Sequence, residues 1–239
     1  YDGDGYNTAV GTQAGAAVST GVQNTLIGGL AGDALQDADR NVAIGYQALS
    51  ADDLGSRTVA IGAGAALLQN YASATDSHNT CIGDLAGLYN VTGVKNTWLG
   101  SAAGVGASGQ SNSNNTGVGY NAGLKITTGI ENTLIGGLAG DALTDGAANI
   151  ALGYNALSTD TGGNASIAIG KNALSTQNLG IDTFNTAVGF AAGSAVTTGV
   201  KNTLIGGLAG DALQDADLNV AVGYSALTSD TLGSRSVAI

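Results

Sequence analysis

A chain of 239 residues with 40 Gly, no Pro, no Met and 10% charged residues lies outside the ordinary range for a globular domain. Its net charge of −11 speaks against a nucleic-acid partner, because phosphate binding needs Lys and Arg. A single cysteine, Cys81, excludes an internal disulfide, and no segment has the make-up of a signal peptide or of a membrane span.

The chain is built on one five-residue phrase, Asn-Thr-Leu-Ile-Gly, first whole at Asn24 to Gly28. Aligned on its glycine, copies run from Gly11, Gly28, Gly45 and Gly62 through to Gly223, with a spacing of 17 residues nine times out of twelve. Such a period predicts a solenoid. Residue one of each triplet is Thr, Val or Ile, and residue three is Val, Ile or Leu. The middle residue is mostly Ala, as at Ala43, Ala151 and Ala221. β-branched residues suit a pleated surface, so each triplet predicts a very short strand with two usable faces. The expectation is that Ile44, Ile135 and Ile205, with Val42, Thr133 and Thr203 beside them, form the core. The small middle residues would then face other copies about a three-fold axis.

Around the triplet the wording is just as regular. The residue before it is Asn in eleven of fourteen copies, with Thr58, Ser166 and Ser236 as exceptions. An Asn there can bond nearby backbone and stack on its own kind in the next coil. An Ala follows three residues after each aligned glycine, which implies room for a methyl group and no more. A second Gly often stands three residues before the Asn, as at Gly21, Gly93 and Gly199, and reads as a turn needing positive φ. Longer copies place loops at 69–78, 106–114 and 177–184. Residues 7–61 match residues 185–239 at 43 of 55 positions, the mark of duplication. The prediction is an all-β parallel roll, one repeat array over 1–239, of about thirteen or fourteen coils. The absent Met and the truncated triplet at Ile239 make it an expected fragment of a longer fibre, or a subunit that stacks end to end.

Phrases such as Asn41-Val-Ala-Ile-Gly-Tyr-Gln-Ala-Leu and Ser166-Ile-Ala-Ile-Gly-Lys-Asn-Ala-Leu resemble the head repeat of trimeric autotransporter adhesins. Similar repeats occur in phage tail fibres. The resemblance covers nearly the whole chain, although the repeat here is longer than in the adhesins. It implies a left-handed β-roll, a homotrimer, and a virion fibre or bacterial surface head that meets a host cell-surface glycan or protein. Neck, stalk and membrane anchor are not visible.

Candidate chemistry is sparse. His78 is the one histidine, and no catalytic triad or zinc site can be assembled around it. No enzyme activity and no cofactor are expected; a polysaccharide-cleaving spike, the remaining alternative, would need paired carboxylates in a groove. Asp37, Asp39, Asp215 and Asp217 are weak calcium candidates against a solvated edge. Tyr46, Tyr120, Tyr154, Tyr224 and Phe190 recur directly after the aligned glycine and are candidate receptor or glycan contacts, or a cover for the roll's edge. Trp98, alone in a middle slot, is a packing anchor or a receptor contact. Cys81, in a slot where other copies carry Ala or Leu, reads as a small packed residue.

Overall fold

The computed structural model describes residues 5–239; the first four residues of the Tyr1–Tyr6 run lie outside the described residues. Two compact units emerge, Tyr1–Asn115 and Thr116–Ile239. Each is a parallel β-solenoid without helices, and together they hold about fourteen coils.

In the first unit the main ladder is formed by β1 (Thr8–Val10), β2 (Thr25–Ile27), β3 (Val42–Ile44), β5 (Val59–Ile61), β7 (Thr80–Ile82) and β8 (Thr97–Leu99). A separate pair, β4 (Gly55–Ser56) and β6 (Thr75–Asp76), runs alongside. The second unit carries β9 (Thr116–Val118), β10 (Thr133–Ile135), β11 (Ile150–Leu152), β12 (Ile167–Ile169), β13 (Thr186–Val188), β14 (Thr203–Ile205), β15 (Val220–Val222) and β16 (Val237–Ala238). Each triplet pairs in parallel with the next at equivalent residues, as Thr25↔Val42 and Ile150↔Ile167 do. Two of the three longer copies, one in each unit, leave this undisturbed, since Val59 still pairs with Thr80 and Ile167 with Thr186.

The expected strand faces are reversed. Middle residues form the core: Leu26, Ala43, Ala60, Trp98, Leu134, Ala151, Ala168 and Leu204 are all at 0% exposure. Ile44 and Ile135 are only half-buried, Ile205 is 40% exposed, and Val42, Thr133 and Thr203 are half-buried. The reason is volume. The roll is thin, and its inside must also hold an Ala from each coil, such as Ala31, Ala139 and Ala209, plus one larger residue, such as Leu35, Leu143 or Leu213. That leaves room for Ala or a single Leu from most strands, Trp98 being accommodated where Gly104 gives way to its ring. The broader β-branched and aliphatic residues line the outer wall, where a pleated surface suits them.

The Asn column is the second support. Asn24 accepts a hydrogen bond on Oδ1 from the backbone N–H of Asn41, 2.9 Å, and donates from Nδ2 to the carbonyl of Ala38, 2.7 Å. Asn132 repeats both bonds with Asn149 and Gly146. Each side chain thus ties its own coil to the next and fills a buried backbone donor and acceptor that would otherwise go unmatched. The residue just before the Asn is left-handed in every coil, including Arg40 at φ 58° and Leu218 at φ 60°.

The glycine three residues before the Asn does not have the expected positive φ. Gly21, Gly93 and Gly199 are needed for close approach: a Cβ on any of them would collide with backbone of the following coil. Positive φ belongs instead to the aligned glycines, Gly28 at +134° among them.

Candidate functional site

The outer wall carries parallel columns, one residue per coil. Its middle is the stripe of strand residues one and three, the first mostly Thr or Val and the third aliphatic, where Ile27, Leu99, Ile150, Leu152 and Ile205 are 38–42% exposed.

Directly after the aligned glycine some coils place an aromatic ring, Tyr46 alone in the first unit and four in the second. Tyr46, Tyr120, Tyr154, Phe190 and Tyr224 are all more than half exposed. Three of these rings lie against a glycine of the preceding coil. A Cβ on Gly29 would meet Tyr46 at 3.5 Å, on Gly137 Tyr154 at 3.4 Å, and on Gly207 Tyr224 at 3.5 Å. One side of each of these rings, its Cδ2–Cε2 edge, therefore lies close to the backbone of the preceding coil, while more than half of the residue stays exposed. Lys171 places its Nζ 6.0 Å from the Tyr154 ring centroid, within cation–π range.

The remaining sequence candidates fall elsewhere. Trp98 is wholly buried, the packing anchor of its two readings, and Gly104 makes room for its indole. Cys81 is also buried, and desolvation pushes its thiol up to about 12, so it stays protonated. The aspartates satisfy neighbouring coils: Asp37 accepts from Thr20 Oγ1 at 2.5 Å and Asp39 from the Val22 N–H at 2.8 Å. Asp215 and Asp217 do the same with Thr198, 2.6 Å, and Val200, 2.8 Å. Among the described residues no three His, Cys, Asp or Glu side chains form a group able to hold a metal.

Sequence reasoning missed the most elaborate side-chain network. It forms where the Asn column is interrupted. Asp52 accepts from the Gly55 N–H, 2.9 Å, and from Gln69 Nε2, 2.6 Å. Gln69 also donates to Thr58 Oγ1, 2.7 Å, and accepts from Asn79 Nδ2, 2.9 Å. In the second unit Asp160 accepts from Gly163, 2.8 Å, and Gln177, 2.6 Å; Gln177 donates to Ser166, 2.9 Å, and accepts from Asn185, 2.8 Å. All these side chains are buried, including Gln69 and Gln177, the first residues of the two loops expected there. Burial pushes the Asp52 and Asp160 carboxyls above the usual range, with the glutamine and backbone N–H bonds pulling them back. The available signal was spacing: an Asp six residues before, and a Gln eleven after, each of Thr58 and Ser166.

No protein-family model matches the chain, and no curated protein or solved structure matches it significantly.

Proposed function

We propose that the chain is a structural and adhesive segment of a fibre, in a phage tail fibre or related virion appendage, that presents a host-recognition surface. A bacterial adhesin head is the second reading. The observation that carries the proposal is the outer wall. In each unit a stripe of Thr, Val, Ile and Leu side chains runs along the strand triplets, and in the second unit it is flanked by the exposed rings of Tyr120, Tyr154, Phe190 and Tyr224. The stripe suits other copies of the chain, because its pitch and chemistry repeat identically on every copy and an isologous or cyclic contact needs no second partner. Three copies meeting on it about one axis form the homotrimer that the repeat resemblance implies. This places the aliphatic face, not the alanine face, at the axis. The aromatic column then lies at the rim, where Tyr is favoured in interfaces and on sugar-binding walls for its large, half-polar ring. The reading includes no catalysis and no cofactor.

Sedimentation of the chain tests the assembly. A trimer mass is expected. Ile135→Asp, on the stripe, should give folded monomer with an unchanged circular dichroism spectrum; a wild-type chain that stays monomeric at all concentrations defeats the trimer reading.

A further inference from the structure

The aromatic rings of the second unit have a period of their own. Directly after the aligned glycine, alternate coils place Tyr120, Tyr154, Phe190 and Tyr224, with Gly137, Lys171 and Gly207 in the coils between. A ring therefore recurs in every second coil. Backbone bonds hold the row in register at this very position. The Leu138 N–H donates to the Tyr120 carbonyl, 2.9 Å, and the same bond recurs coil by coil up to Ser225 on Gly207, 3.0 Å. The longer interval between Gly170 and Gly189 does not shift it, since the Ala191 N–H still reaches the Lys171 carbonyl, 2.9 Å. At the ordinary strand spacing, neighbouring rings stand about 9.6 Å apart and the row covers roughly 29 Å.

Packing does not explain the row. The core of this unit is built from other positions, and the four rings are 53–80% exposed. They are four of the unit's five aromatic residues, Phe184 being the fifth. Glycine at 137 and 207 leaves no side chain between Tyr120 and Tyr154, or between Phe190 and Tyr224, along the row. Lys171, whose Nζ lies 6.0 Å from the Tyr154 centroid, is an exposed flexible chain that can yield this ring to a ligand. Beside three of the four rings the next residue is polar and half-buried: Asn121, Asn155 and Ser225. The first unit has no such row. There Tyr46 is followed in the same position by Ala63, Asp84 and Ser101.

We propose that this row is a docking platform for a linear, uncharged polysaccharide with the extended β-linkage of cellulose and chitin. In such a chain each sugar is turned over relative to the last, so every second sugar presents the same face. That disaccharide step has the length of two coils. The apolar C–H face of a sugar packs on an aromatic ring, and its hydroxyls need partners at the ring's edge, which Asn121, Asn155 and Ser225 supply. An α-linked chain of the same sugar coils and cannot keep the pitch. Charge selects in the same direction. Lys171 is the one charged residue in the row, so an ionic chain finds no series of partners, and the net charge of −11 repels an anionic one. The inference rests on the reading of these rings as part of a recognition surface, and is independent of the trimer.

Isothermal titration of the chain with cellohexaose and chitohexaose tests it. Binding of at least one is expected, with little response to salt, and maltohexaose, the α-linked isomer of cellohexaose, should bind about tenfold more weakly or not at all. Tyr154→Ala combined with Phe190→Ala should weaken binding about tenfold, with an unchanged thermal transition. Phe184→Ala, an exposed ring outside the row, should leave binding unaltered. Three outcomes overturn the proposal: binding of neither β-linked oligosaccharide, equal binding of maltohexaose, or equal loss with Phe184→Ala. So does a double variant that alters self-association and leaves oligosaccharide binding intact, which would assign the rings to contacts between copies. Sedimentation of the same samples separates the two readings: a trimer that binds no oligosaccharide defeats this inference and leaves the assembly standing.

Discussion

Regular coils and interrupted coils solve the same packing problem with opposite chemistry. Seven residues after the aligned glycine, regular coils bury Leu35, Ile126, Leu143, Val196 or Leu213. In the interrupted stretches that core position becomes Asp52 and then Gln69 in the first unit, and Asp160 and then Gln177 in the second. Alongside, Asn gives way to Thr58 and to Ser166. The shorter hydroxyl cannot accept the N–H of the next Asn. In the first unit Ser77 Oγ accepts the Asn79 N–H instead, 3.2 Å, and Gln69 fills the space an amide would have taken. The two networks agree although the coil that follows differs in length between them. The lesson is that a buried polar set replaces an apolar column only when all its members change together. A half-converted set leaves unmatched groups, which cost more than either complete version.

That contrast can be broken most sharply at Gln69. Gln69→Leu strips donors from Asp52 and Thr58 and an acceptor from Asn79, and should lower unfolding free energy by about 3 kcal/mol; urea denaturation measures it. Gln177→Leu should match it, and a loss under about 1 kcal/mol at both sites would mean that the networks do not support the fold. In a regular coil Asn132→Ala is expected to cost about 2 kcal/mol, because the Asn149 N–H and the Gly146 carbonyl lose their partner. The full conversion of Asp52→Leu, Thr58→Asn and Gln69→Leu should recover stability to within about 1 kcal/mol of the parent. A triple variant as unstable as Gln69→Leu alone would show that the two kinds of coil are not interchangeable.

The smallest effect is on pH dependence. The Asp52 and Asp160 carboxyls titrate higher when folded than the ordinary aspartate value. The folded chain therefore binds protons more readily in the window between the two values. Their burden on stability is full above the folded value and is relieved as pH falls through it, with nothing further gained below the unfolded value. Thermal melts should show this contribution rising as pH falls toward the ordinary aspartate value, and the triple conversion should remove the share due to Asp52. A transition whose acid response is the same with and without Asp52 would contradict it.

Most of the fold was legible. Period, strand triplet, Asn column and the fixed Ala could all be read because each coil repeats the same local requirement. The inside of the strand could not, because the usual rule that large aliphatics go in assumes a core wide enough for them. In a thin roll the smallest residue marks the interior, and Ala43 and Ala168 were the better guide than Ile44 and Ile169. Left-handed backbone at Arg40, Lys95 or Leu218 carries no sequence signature, since these are not the residues that ordinarily mark it. The Asp–Gln pairs were hidden for another reason. Their members are one coil apart, and only the stacking brings them together.

Every ladder bond and every Asn bond in the regular coils spans one repeat, and this makes length an adjustable quantity. Excision of residues 132–148, one whole 17-residue repeat, would set Asn149 directly after Glu131. Each group that lost a neighbour would find an equivalent one in its place. A cut that moved a strand triplet by one residue against its neighbours would slide alanines out of the interior and aliphatics into it. The chain is in effect a ruler, graduated in coils, and the near-identity of residues 7–61 with 185–239 is what growth by whole graduations leaves behind.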